Sequence, residues 1–93
     1  ERPTAIFAAM DTTAVGLLDG LRLHGLRAPD DLAIVGFDDL DIAKVNNLTT
    51  IRQPLYESGQ KGIEYLLKIL TSHDRLPAER ILLPLTLIER GTT

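Results

Sequence analysis

Two short apolar runs in this 93-residue chain each end on acid: Ala8-Ala9-Met10-Asp11 and Val35-Gly36-Phe37-Asp38-Asp39. In open α/β sheets, ligands bind in the crevice outside the carboxyl ends of the strands, which is where such acids would sit. A carboxylate there accepts hydrogen bonds from two adjacent hydroxyls of a sugar or nucleoside. It rejects analogues that lack them, because a buried carboxylate left unpaired is costly. Each acid also has a plainer use. Asp11 can cap a helix start, and Asp38 with Asp39 can serve a turn or a cap. A different chemistry gives Asp38, Asp39 and Asp41 to Mg²⁺, since carboxylates suit hard cations, and would make the protein a phosphoryl-transfer enzyme. His24 falls near a helix end, where a cation complements the helix dipole, and His73 falls in a polar loop. The chain has no Gly-rich phosphate loop, no serine elbow and no Cys–His pair, so catalysis has little support.

The elements that must carry these residues follow from apolar spacing. Thr4 to Ala9 and Leu32 to Phe37 are nearly unbroken apolar runs, the pattern of parallel strands buried on both faces. Between them Ala14, Leu17, Leu18 and Leu21 recur at helical spacing. Gly25 can take the left-handed turn that ends the helix, and Pro29 prevents its continuation. The result is a strand–helix–strand unit with parallel, right-handed connection. Asp41 to Val45 has a short helical tendency, and Leu48 to Arg52 is β-prone. Pro54 suits the first turn of a helix whose face is marked by Tyr56, Gly59, Ile63, Leu66, Leu67 and Leu70. Ile81 to Leu83 and Leu85 to Ile88 read as two short strands broken at Pro84.

Two aliphatic surfaces remain. Val15, Asp19 and Arg22 fall opposite Leu17 and Leu21 on the first helix, with Leu18 between the faces; this is a solvated face or a partner contact. Ile42, Ala43 and Val45 form an apolar strip in a polar loop, either a local plug or an interface.

Composition narrows the function classes. Hydrophobic content of 44% and charged content of 25% are ordinary for a globular protein, and the longest apolar run, Ala5 to Met10, is far too short to span a bilayer. No signal peptide is visible. The absence of cysteine excludes disulfides and thiolate metal sites, and fits a reducing, cytoplasmic setting. A net charge of -3 is the wrong sign for a surface that grips DNA by itself. The start at Glu1, running directly into strand pattern, reads as a fragment whose sheets need strands from elsewhere.

The landmarks resemble those of LacI/GalR-type transcription regulators. Pro3-Thr4-Ala5-Ile6-Phe7-Ala8-Ala9-Met10-Asp11, Gly25 to Leu32, Val35-Gly36-Phe37-Asp38-Asp39, Leu48-Thr49-Thr50-Ile51-Arg52-Gln53-Pro54, and the ending Leu83-Pro84 with Leu87 to Thr92 occur in order over essentially the whole chain. The resemblance implies the α/β fold of the periplasmic-binding-protein-like (type I) core, with parallel-sheet βαβ units. Residues 1–50 would be part of the C-terminal lobe, 51–80 a hinge crossing and a helix returning to the N-terminal lobe, and 81–93 terminal strands and tail. It also implies a small-molecule effector, a sugar or nucleobase, bound between lobes without a cofactor or metal. DNA would be bound only through a helix-turn-helix domain absent from this chain.

Residue by residue, Asp38 matches the acid that binds effector hydroxyls or ring atoms, and Gln53 lies at a hinge crossing where a polar residue faces the cleft. Asp11 lines or supports that cleft. Met10 stands where the family usually has Asn, which implies a more apolar ligand edge. The family's dimer contact would draw on Val15, Leu18, Arg22, Ile42 and Val45. A sugar-binding protein of a transport system shares this core and is the alternative.

Overall fold

A computed structural model describes residues 1–93. The elements are β1 (Ala5–Phe7), α1 (Asp11–Leu23), β2 (Ala33–Asp38), α2 (Asp41–Val45), β3 (Thr49–Arg52), α3 (Leu55–Thr71) and β4 (Thr86–Ile88). They divide into two compact units: Glu1–Gln53 with Leu85–Thr93, and Pro54–Pro84.

The first unit is built on one sheet of order β1-β2-β3-β4. The first three strands are parallel, and β4 closes the edge antiparallel to β3. Three parallel strands put the segments that follow them, Ala8–Met10, Asp39 and Gln53, at one edge of the sheet. The α1 crossover is ended by Gly25 at φ 71°, with Leu26 N–H donating to Leu21 C=O and Gly25 N–H to Arg22 C=O. This is the paired C-terminal closure that a left-handed glycine permits.

The face of α1 differs from the expected one. Asp11, Ala14, Val15 and Leu18 are its buried residues, a continuous stripe at spacings of three and four. Leu17 and Leu21 pack at the border of the core. The stripe therefore turns toward Val15, and Val15 and Leu18 are core residues of this unit; their assignment to a dimer surface is corrected. Arg22, Ile42 and Val45 do lie on the surface, and Ala43 is the buried member of the α2 strip, a local plug.

The sheet also departs from burial on both faces. Ile34 and Gly36 of β2 are buried on the side covered by α1. The pairing register puts Phe7, Val35, Phe37, Ile51 and Leu87 together on the other side. Phe7 and Phe37 meet edge to face with centroids 6.2 Å apart, yet Phe7 is 62% and Leu87 60% exposed. That apolar face has no cover within this unit. The expected strand at Ile81 to Leu83 is not formed, because this stretch pairs with no other strand.

After β4 the chain threads back to the start of the sheet. Thr92, 4% exposed, donates its hydroxyl to Ile34 C=O and accepts from Thr49 N–H, and its own carbonyl takes the Ile34 N–H. The second unit is α3 with the segment after it. None of its helical residues is buried, so the apolar face through Ile63, Leu66, Leu67 and Leu70 forms as expected but stays open. Within that unit the Tyr65 hydroxyl donates to Pro77 C=O. No helix is long and apolar enough to cross a membrane.

Gly36 marks the closest approach of α1 to the sheet. A methyl group there would collide with the Asp11 carboxylate and lie 2.9 Å from Leu48 Cδ2. Gly36→Ala should therefore destabilise the protein by about 1–3 kcal/mol. Gly16→Ala, in the interior of α1 with open space at its Cβ, should stabilise it by roughly 0.5–1 kcal/mol. Denaturant unfolding of both variants checks this; equal effects would contradict the close approach.

Candidate functional site

The carboxyl edge of the sheet collects most of the residues marked in the sequence. Met10 caps α1 through extended backbone and makes no side-chain cap bond, and its side chain is 52% exposed beyond the end of β1. Asp38 ends β2, and Gln53 follows β3, whose Arg52 is the register partner of Asp38. Gln53 Nε2 donates to Asp38 Oδ1 at 2.5 Å. Asp38 is half-buried, and its second oxygen is left to accept from something else. The edge thus offers a carboxylate and an amide held together, with an exposed thioether on the neighbouring strand's end.

Asp11 does not cap its helix; Met10 occupies that position. The Asp11 side chain is fully buried, and its two oxygens accept from the Thr50 hydroxyl at 2.5 Å and from Leu40 N–H at 2.7 Å. A carboxylate in the first helical turn is favoured by the helix dipole as well. Its place is beneath the edge, tying α1, β3 and the turn after β2 together.

That turn carries unusual backbone. Asp38 has φ 117° and Asp39 φ 56°, neither a glycine. Residues held in such conformations cost on the order of 1–3 kcal/mol each and persist where surrounding contacts over-determine them. Here the contacts converge on Asp39, whose side chain is 2% exposed. Its Oδ2 accepts from Arg52 Nε and its Oδ1 from Arg90 Nη2, both at 2.7 Å. Arg90 also donates to Leu48 C=O at 2.9 Å. Burial alone would push the Asp39 carboxyl up, but the hydrogen bonds and charges of Arg90 and Arg52 outweigh it and hold the group below its ordinary 3.8.

The Mg²⁺ reading does not survive this geometry. Asp38 faces Gln53, Asp39 faces two guanidinium groups and Asp41 faces Lys44 at 3.3 Å, so the three carboxylates do not converge. No group of three or more acidic or histidine side chains could hold a metal ion. The His24 ring bonds Gly20 C=O of its own helix at 2.9 Å and takes no part in the site. A cavity of about 230 Å³ beside the C-terminal half of α1, bounded by Arg22, Arg27 and Asn46 among others, lies at the opposite edge of the sheet. Arg52, Arg90 and Thr50 were not legible as site residues: Arg90 reaches Asp39 across 51 positions of sequence, and no local pattern marks such a pair.

The family profile described as periplasmic binding protein-like domain matches residues 1–93. The chain belongs to this family. It is 41% identical over 70 residues to the transcriptional repressor PurR of Vibrio campbellii, covering 73% of the chain and 21% of that protein. It is 39% identical over 95 residues to the repressor CytR of Escherichia coli, covering 100% of the chain and 28% of that protein. Among solved structures, a LacI family regulator from Enterococcus faecium with bound ribose superposes with TM-score 0.87 at 34% identity, over 100% of the chain and 35% of its own. The first two are transcriptional repressors by name and the third is a LacI family transcriptional regulator, and the chain spans about a quarter of the length of the curated ones.

Because the folded value of Asp39 is depressed, the stability it carries is fully present above its ordinary 3.8 and is lost as pH falls from there through the lower folded value. Unfolding midpoints stepped from neutral to about pH 2 should show an acid limb that Asp39→Asn flattens. An unchanged slope in that variant would show the ion pairs to be without thermodynamic weight.

Proposed function

We propose that this chain is part of the effector-sensing core of a cytoplasmic LacI-type transcription regulator. Residues 1–50 would belong to its C-terminal lobe, 51–80 to a hinge crossing and a helix returning to the N-terminal lobe, and 81–93 to the closing segment. The observation that carries the reading is the Asp38–Gln53 pair at the carboxyl edge of a parallel sheet. A carboxylate and an amide fixed in this way recognise a neutral ligand with adjacent hydroxyls or ring N–H groups. The bound ribose of the Enterococcus faecium relative is one such molecule, and PurR and CytR are repressors by name. Asp11 supports the edge from below, and Met10 presents an apolar border to the ligand. DNA would be bound by a helix-turn-helix domain outside this chain. The ligand would act by preferring one lobe arrangement over the other, since only differential affinity shifts such an equilibrium.

A thermal-shift screen of sugars and nucleobases on the full-length protein should find a ligand. Asp38→Ala should then weaken it by between about tenfold and a hundredfold, the worth of hydrogen bonds to a charged group. Wild-type affinity in that variant would defeat the reading.

The protein would act as a homodimer through the exposed strip of Arg22, Ile42 and Val45, of which Val45 is 85% exposed. Val45→Asp should raise the dimer dissociation constant by on the order of tenfold or more in analytical ultracentrifugation. An unaltered constant would remove Val45 from the contact.

A further inference from the structure

We propose that Asp39 and Arg90 are positioning residues for the binding carboxylate, holding the left-handed turn that aims Asp38 at Gln53. This rests on the reading of Asp38 as the effector-binding acid. Neither residue would touch the ligand, since Asp39 is buried beneath the turn and Arg90 is 15% exposed.

The argument begins with the backbone. Two successive non-glycine residues at positive φ are not a conformation the chain adopts by local preference. In a flexible turn, Asp38 would sample several directions and meet Gln53 in a fraction of them. Something must select one: Asp38 is the last paired residue of β2, opposite Arg52, and the remaining fastenings act on the residues after it. Asp39 N–H approaches Thr50 Oγ1 at 3.4 Å, and the Asp39 carboxylate is held by Arg52 and Arg90. Leu40 N–H is held by Asp11. With Asp39 and Leu40 pinned on one side and the β2–β3 pairing on the other, the Cα–Cβ direction of Asp38 is set, and the bond to Gln53 selects among its rotamers.

The two arginines are not equal. Arg52 is 53% exposed and makes one bond to Asp39, so water competes with it. Arg90 is anchored at three points: its N–H donates to Thr49 Oγ1 at 2.8 Å, one guanidinium nitrogen to Leu48 C=O and the other to Asp39. Arg90 is therefore the rigid half of the clamp. It extends the binding machinery to a residue 52 positions beyond the acid it serves.

The test uses the full-length protein labelled with ¹⁵N-glutamine, in which the Gln53 side-chain amide pair is identified by its loss in Gln53→Glu. Held against Asp38, that amide is shifted from the position of a free glutamine, and Asp38→Ala gives the released position. Arg90→Gln and Asp39→Asn should move the pair toward the released position and weaken the tightest binder among D-ribose, D-glucose and hypoxanthine about tenfold. Arg90→Lys, which keeps the charge but not the forked donor, should fall between them and wild type. Thr92→Val, which loosens the same tail elsewhere, should lower the melting temperature and leave the Gln53 amide in place. Wild-type amide position and affinity in Arg90→Gln and Asp39→Asn would reduce the clamp to a structural brace and overturn the proposal. If those variants do not fold, Arg90→Lys decides it, a wild-type amide position counting against the clamp. Should Asp38→Ala bind as well as wild type, the effector reading fails by itself, while the Gln53 resonance still reports whether the clamp aims Asp38.

Discussion

A carboxylate shut away from water must find donors, and the buried side chain of Asp11 finds two that lie 39 and 29 residues along the chain, the Thr50 hydroxyl and the Leu40 amide. Leaving either oxygen unpaired would cost the desolvation of a charged group, so the three segments that supply the bonds are held at one point. The small residues around it are a consequence. Gly36 is without a side chain because a Cβ would occupy the space of the Asp11 carboxylate, and Ala14 sits next to it. The start of α1, the middle of β3 and the turn after β2 are thus set against each other by the two hydrogen bonds of one buried carboxylate.

Above that contact lies a second, charged one. The Asp39 carboxylate is 2% exposed, and two guanidinium groups replace the water it gives up. Breaking such a pair leaves an uncompensated buried charge, which costs far more than its formation returns. The value of the arrangement is geometric. It holds two residues at positive φ and leaves Asp38, at the rim, with an oxygen for use.

Two apolar surfaces, the open face of the sheet through Phe7, Phe37 and Leu87 and the exposed stripe of α3, stand in contrast to these satisfied polar groups. Contiguous apolar surface of this kind marks contact with other protein. The chain matches 21% of the length of PurR and 28% of that of CytR.

Local chemistry made much of this legible from residues alone. Unbroken apolar runs separated by a helical repeat dictate a parallel unit, Gly25 ends α1 because a left-handed residue is needed there, and Asp41 to Val45 forms the short helix its spacing implies. Acids at strand ends must then reach one edge, which places Asp38. Tertiary structure decided what depends on neighbours distant in sequence. Val15 faces inward rather than outward, because the stripe a helix buries is chosen by the surface it lands on, and the sheet face bearing Phe7 is open because no other segment of its own unit crosses it. The partners of Asp11, and the pairing of Asp39 with Arg90 across 51 residues, have no local signature; such contacts exist only once the strands are in register.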